Sequence, residues 1–236
     1  MTGLVHQVAA QLRWRIGRNT VVLEGTSDVA FLEHAAGLHS RAFGGAILDA
    51  DFAVVAAGFG DDGGVDGVNR RLNMMRQLAD TDRDPSGAIV YRFIGLLDND
   101  WAGRNALEAA CKFDRRLCAY TDLILLHPVM PVLTAGAVNL ETEMIQANRQ
   151  FTKLNWEIED LCSERLLAAF EVINPGAVTA RRSAAGRTHR EFDRKAKAEL
   201  RRYFLREASL GDVREMLALL KALRSYVFLP YHFIQV

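Results

Sequence analysis

Residues 88–97 (AIVYRFIGLL) form a near-continuous apolar run of strand length that stops on an acid, Asp98. A strand of that composition has no polar side to show to water, so it has to be covered on both faces. Half-solvated antiparallel meanders alternate instead, and a parallel sheet between helices is the architecture that uses such runs. The rest of the N-terminal half agrees. Residues 20–23 (TVVL) are short, apolar and partly β-branched, and they give way to Gly25, Thr26 and Ser27 and then to the helical pattern AFLEHAA, with Thr26 or Ser27 as the expected cap. Residues 52–56 (FAVVA) read as a second strand, and VNRRLNMMRQLA as a helix with Val68, Leu72, Met75 and Leu78 on one face. A helix is expected over 102–113 after the 88–97 strand, and residues 123–126 (LILL) supply a fourth strand. Strands alternating with helices at this spacing predict an α/β fold, a mainly parallel sheet flanked by helices.

Around this core the pattern is helical. An amphipathic helix is expected within residues 4–16, and further helices over 140–147, 155–172, 187–208 and 211–226. Residues 176–189 (GAVTARRSAAGRTH) are small, polar and basic, and read as a mobile loop, while 228–236 (FLPYHFIQV) suit a terminal strand or a docking segment. The expected division is an N-terminal helix over 1–19, the sheet domain over 20–150 and a helical C-terminal extension over 151–236.

A chain of 236 residues, half of them hydrophobic, can bury a sizeable core. Lys plus Arg equals Asp plus Glu at 29 each, so no global field draws it to a polyanion, and contact with nucleic acid requires local clustering. Cys111, Cys118 and Cys162 form neither a CxxC pair nor an even set; they read as packing residues in a reducing compartment. With no signal-peptide pattern and no apolar stretch of spanning length, a cytoplasmic protein with no membrane partner is expected.

Chemistry concentrates in two segments. LLDNDWAG places Asp98 and Asp100 two residues apart directly after the buried strand, and VVLEGTSD closes the first strand on Glu24, with Asp28 in the first turn of the next helix. In open parallel sheets ligands gather at the carboxyl ends of strands, where Glu24 and Asp98 fall. Paired carboxylates repel one another, and a divalent cation is a common way to keep both ionised. The structural readings stand beside these: aspartates favour turns and helix caps, so Asp98 and Asp100 also suit a turn and an N-cap, and Asp28 also suits a helix-dipole partner.

VVLEGTSDVAFLEHA resembles the first motif of the TOPRIM superfamily, a strand-end glutamate followed by glycine and a helix, and LLDNDWAG resembles that family's DxD motif. Glu24, Gly25, Ser27, Asp28, Phe31 and Leu32 are most similar to the EGxSDxxFL form of OLD-type nucleases and of small TOPRIM effectors of bacterial phage defence, and the glycine-rich AAGFGDDGGVDGV is similar to their following segment. The likeness covers roughly residues 20–147. It implies a Mg²⁺- or Mn²⁺-dependent nuclease acting on DNA or RNA, with Glu24, Asp98 and Asp100 catalytic, and a later glutamate, Glu141 or else Glu143, as a further ligand. On that basis Asp98, Asp100 and Glu141 hold one ion and Glu24 with Asp28 a second, since two ions about 4 Å apart stabilise both the attacking and leaving oxygens of an in-line displacement. The chain has no GxxxxGK[ST] loop, so ATP-driven control would come from a separate OLD-type ATPase partner. The rival class is a non-catalytic TOPRIM module that binds nucleic acid or a partner protein.

Between Arg181 and Arg202 there are nine Lys or Arg against three acids. Arg181, Arg182, Arg187, Arg190, Lys195 and Lys197 are therefore the candidate phosphate contacts, against the alternative of a solvated helix with ion pairs such as Glu191 with Lys195. The OLD resemblance also implies that a basic residue after the core, here Lys195 or Lys197, enters the site. Three motifs are set aside. GFGDDG (residues 58–63) satisfies GxGxxG, but Asp61 and Asp62 put negative charge where a pyrophosphate must sit. The six histidines lack HxH or HExxH spacing, His127 being the one best placed. An aspartate-based phosphatase lacks its usual context after Asp100, where Trp101, Ala102 and Gly103 stand instead.

Overall fold

The computed structural model describes residues 3–58, 63–134 and 139–236. They fall into two compact units. The first takes the described residues up to Val29, then Ile47–Leu97 and Trp101–Leu125; the second takes Ala30–Ala46, Asp98–Asp100 and the described residues from Leu126 onward.

The first unit is an α/β layer structure. Strands β1 (Asn19–Leu23), β2 (Phe52–Ala56), β3 (Arg92–Leu97) and β4 (Leu123–Leu125) make a four-stranded sheet in the order β2-β1-β3-β4, and every pairing is parallel. The α/β reading from the apolar runs is borne out. β3 is shorter than the run that announced it, and Ile89 is exposed. Helices α1 (Leu4–Gln11), α3 (Gly64–Ala79) and α4 (Trp101–Phe113) accompany the sheet. Val5 and Ala9 of α1 share one core with Val68, Leu72 and Met75 of α3 and Phe93 and Leu97 of β3. α1 ends early because Arg13 takes a positive φ of 58°. Of the expected apolar face on α3, Val68, Leu72 and Met75 are buried and Leu78 is half-buried.

Gly95, inside β3, is the position where packing leaves no room for a side chain. A Cβ there would stand 2.5 Å from Leu123 Cδ1, 3.0 Å from Val68 Cγ1 and 3.1 Å from Leu72 Cδ2. Gly95→Val is therefore expected to lower the stability to urea by about 1–3 kcal/mol through overpacking; an unchanged unfolding midpoint would show that α3 is not seated on β3 as described.

The second unit is helical but not wholly so. Its helices are the body of α2 (Thr26–Phe43), α5 (Leu140–Asn148), α6 (Glu164–Ile173), α7 (Arg194–Glu207) and α8 (Arg214–Tyr226). Phe31 of α2 meets Phe204 of α7 edge-on at 4.6 Å, and α8 buries Leu217, Leu219, Leu220 and Leu223. Two expectations fail here. The mobile loop over 176–189 and the start of the helix over 187–208 are instead an antiparallel hairpin, β5 (Val178–Ala184) with β6 (Arg187–Phe192). Ala184 pairs with Arg187, which leaves the two-residue turn Ala185-Gly186, both with positive φ (45° and 80°), the conformation that suits a tight hairpin. The helix expected over 155–172 is also broken. A 3₁₀ turn at Ile158–Leu161 comes first, and α6 starts afresh after Ser163, whose side chain caps it by accepting from the Leu166 backbone N–H at 3.2 Å.

The C-terminal residues 228–236 form no strand. Phe228 is exposed, Ile234 is buried, and the Gln235 backbone N–H donates to His39 Nε2 at 3.1 Å. Of the cysteines expected to pack, Cys162 is buried, Cys111 is half-buried and Cys118 is exposed, so the packing role fails for Cys118. Among the described residues no helix is long and apolar enough to cross a membrane.

His39 makes stability depend on pH. It is fully buried on α2, and burial pushes its pKa below the ordinary value. The unfolded chain therefore binds the proton more readily, so this contribution is complete above about pH 6.5 and is lost as pH falls below it. His39→Gln, which keeps an acceptor for the Gln235 N–H, should flatten the fall in urea stability between about pH 6.5 and 5 relative to the wild type. Equal slopes in both proteins would exclude His39 as the source.

Candidate functional site

Glu24 follows β1 and Asp98 follows β3, two strands that are neighbours in the parallel sheet. The last registered pair between them is Val22 with Gly95; Glu24 lies two residues beyond it in one strand and Asp98 three residues beyond it in the other. Both acids thus leave the sheet at its carboxyl end, as the sequence anticipates.

Glu24 is half-buried, and its carbonyl accepts from the Gly64 backbone N–H at 3.1 Å, where α3 begins. Asp28 turns back on the start of α2: its Oδ2 accepts from the Gly25 N–H at 2.8 Å. This is the backward half of a capping box, with the acid at the third helical position bonding the N–H of the residue before the helix. The cap therefore differs from the expected one. Thr26 and Ser27 lie inside the first turn, and Asp28 performs the bond.

In the second unit the DND segment is pinned at its centre. Asn99 is buried, exchanges backbone hydrogen bonds with Trp156 (2.8 and 3.1 Å), and its side-chain Nδ2 stands 3.0 Å from His127 Nδ1. Asp98 and Asp100, on either side of Asn99 in the chain, are both half-buried. Glu141 and Glu143 are exposed in the first turn of α5, which Asn139 caps by accepting from the Glu141 N–H at 2.8 Å.

Lys197, at the start of α7, brings a cation to this segment. Its Nζ lies 2.8 Å from Glu157 Oε2 and 3.5 Å from Glu159 Oε1. Burial alone would lower the Lys197 pKa; Glu159, then Glu157 and Asp98, outweigh it and hold the ammonium above its ordinary value. Burial pushes Glu159 upward, with Lys197 opposing. Trp156, Glu157 and Glu159 fall within the helix that the sequence predicts over 155–172; the signal that sets them apart is an acidic run between Trp156 and Leu161 too polar for the interior position it occupies.

The basic segment is largely neutralised. Arg190 is buried against Glu164 and Glu171, Arg181 also pairs with Glu171, and Arg187 pairs with Glu215 at 3.0 Å. Lys195 lies 3.9 Å from Glu199, not Glu191 as expected, because Glu191 belongs to β6. Of the six expected phosphate contacts, exposed Arg182 alone has no such ion pair among the described residues.

Among the described residues, no group of three or more His, Cys, Asp or Glu side chains is placed to hold a metal ion. Mg²⁺ is commonly held through one or two carboxylates with waters filling the remaining positions, and Asp98 and Asp100 offer hard oxygen donors on either side of a pinned residue. The donor chemistry fits such an ion. The GxGxxG segment lies mostly outside the described residues. No protein-family model matches the chain, and no curated protein and no solved structure matches it.

Proposed function

We propose that the chain is a Mg²⁺- or Mn²⁺-dependent nuclease that hydrolyses phosphodiester bonds of DNA or RNA. In this reading Glu24, Asp98 and Asp100 are the catalytic carboxylates, and Asp28 and Glu141 are further ligands. The observation that carries it is the exit of Glu24 and Asp98 from adjacent parallel strands at the same end of the sheet, with Asp98 and Asp100 flanking an asparagine fixed from two sides. The TOPRIM-like motifs at these same positions add to it.

A bound divalent ion would supply charge neutralisation at the phosphoryl oxygens. The protein's own groups set the stage for it. Asn99 holds the extended DND segment in place, and Lys197 offsets the negative charge of Asp98 and the neighbouring glutamates. Nucleic acid is the proposed partner, and a separate ATPase and a phage-defence role belong to the same reading. The ion pairs along the basic hairpin leave Arg182 as its best remaining phosphate contact.

The test is incubation of the purified chain with single- and double-stranded DNA and RNA, with Mg²⁺, Mn²⁺ or chelator. Cleavage that needs the cation and is lost with chelator is the expected result. Nucleic-acid retention without cleavage under any cation would replace this reading with that of a non-catalytic binding module.

A further inference from the structure

A second site lies within the second unit, away from the carboxylates of the DND segment in sequence but joined to it through one residue. A pocket of about 290 Å³ opens between the 3₁₀ turn that precedes α6, the turn of the β5–β6 hairpin and the start of α8. That volume is near the lower bound for small-molecule sites. Trp156 forms one wall. It is 2 % exposed, and its indole Nε1–H has no hydrogen-bond partner among the described residues. A buried donor left unpaired is unfavourable, so an acceptor that reaches it from the pocket is favoured.

The pocket's acids are already engaged. Asp160 bonds His189 at 2.7 Å, Glu164 pairs with Arg190, Glu215 pairs with Arg187, and Asp212 is held by Arg165, Ser163 and Ser209. Among the lining groups, donors are left over. Arg214 has no ion pair among the described residues, and the Arg187 guanidinium lies over the Trp156 ring at 5.9 Å with donors beyond the one given to Glu215. Guanidinium forks match phosphate oxygens, and an indole N–H can supply a further donor.

We infer that this pocket binds a small phosphate ester, with Trp156 Nε1, Arg187 and Arg214 as its donors. Trp156 is also the residue whose backbone pairs with Asn99. Occupancy therefore reaches the DND segment, and ligand and divalent cation affect each other's affinity reciprocally. The binding step does not rest on the nuclease reading; only the effect on the cation does.

The test follows the indole and backbone N–H signals of ¹⁵N-labelled protein by NMR during titration with inorganic phosphate, with AMP, and with acetate at matched ionic strength. Trp156→Phe assigns the indole signal and removes the donor while keeping a ring. Phosphate or AMP should shift the Trp156 indole and the Asn99 amide, and Trp156→Phe should weaken binding about tenfold, the loss of one hydrogen bond. Arg214→Ala, an exposed position, should weaken it by a similar factor without altering the apo spectrum elsewhere. No shift at the Trp156 indole with either phosphate compound overturns the site. An equal response to acetate overturns the phosphate assignment, and an indole shift with a silent Asn99 amide overturns the link to the DND segment. Loss of cation binding in the wild type, with the phosphate response intact, would remove the nuclease reading and leave the pocket standing.

Discussion

Replacing Asp98 by Ala is expected to lower cation-dependent cleavage by about a thousandfold, because removing a ligand forfeits several kcal/mol of transition-state charge stabilisation at 1.36 kcal/mol per tenfold. Glu24→Ala should do the same. Neither change should unfold the protein: both side chains are half-buried at a strand end rather than inside the core. Asp28→Ala is a useful contrast. Its bond to the Gly25 N–H makes it a helix cap, so its loss should cost about 1 kcal/mol of stability whatever it does to activity. Cleavage rates and urea midpoints measured on all three separate ligand from cap. Full activity in Asp98→Ala and Glu24→Ala together would end the nuclease assignment.

The second large effect falls on Lys197. Its ammonium is the cation that compensates Glu159, whose side chain is 4 % exposed and whose Oε2 has no hydrogen-bond partner among the described residues. Lys197→Met leaves that carboxylate buried and uncompensated, and breaking such a pair from one side costs about 3–5 kcal/mol. Because the Lys197 side chain is itself one-third exposed, the lower end is expected. Adding Glu159→Gln to Lys197→Met removes the orphaned charge and should recover most of the loss. Urea unfolding of the two single variants and the double variant checks this. A Lys197→Met protein as stable as the wild type would mean that Glu159 is neutral in the folded state and has no need of the lysine.

What the sequence made legible was the part governed by apolar periodicity. A run such as residues 88–97 admits little except a strand covered on both faces, and its terminal acid marks where the strand ends. The parallel pairing of the sheet and the positions of Glu24 and Asp98 at strand ends follow from that signal, whereas the order β2-β1-β3-β4 is set by tertiary packing. The β5–β6 hairpin was not legible, for a physical reason. Two successive residues of β6, His189 and Arg190, are both buried by pairing with Asp160, Glu164 and Glu171, so no apolar and polar alternation marks the strand and the segment reads as a basic helix. The same holds around Trp156. Glu159 and Asp160 sit inside, satisfied or offset by Lys197 and His189 from a distant stretch of chain, and no local pattern announces partners 29 and 38 residues away.

The candidate site shows the same split. Asp98 and Asp100 were identifiable from chemistry and spacing, whereas the groups that hold them in place, Asn99 through His127 and the Trp156 backbone, are set by tertiary pairing. His127 was the histidine best placed by sequence, and its contact with Asn99 is that of a positioning residue. The basic segment is the opposite case: its charge is visible in the sequence, but the acids that neutralise it lie on α6 and α8, remote from it in the chain.

The nuclease reading requires one cation held jointly by Asp98 and Asp100, and a double-mutant cycle on Mn²⁺ affinity, measured by calorimetry on wild type, Asp98→Ala, Asp100→Ala and the double variant, tests it most directly. The expected result is binding in the wild type, weakening by more than about tenfold in each single variant, and a double variant far less impaired than the sum of the two, as for ligands of one ion. No Mn²⁺ binding in the wild type, or two losses that simply add, would contradict it.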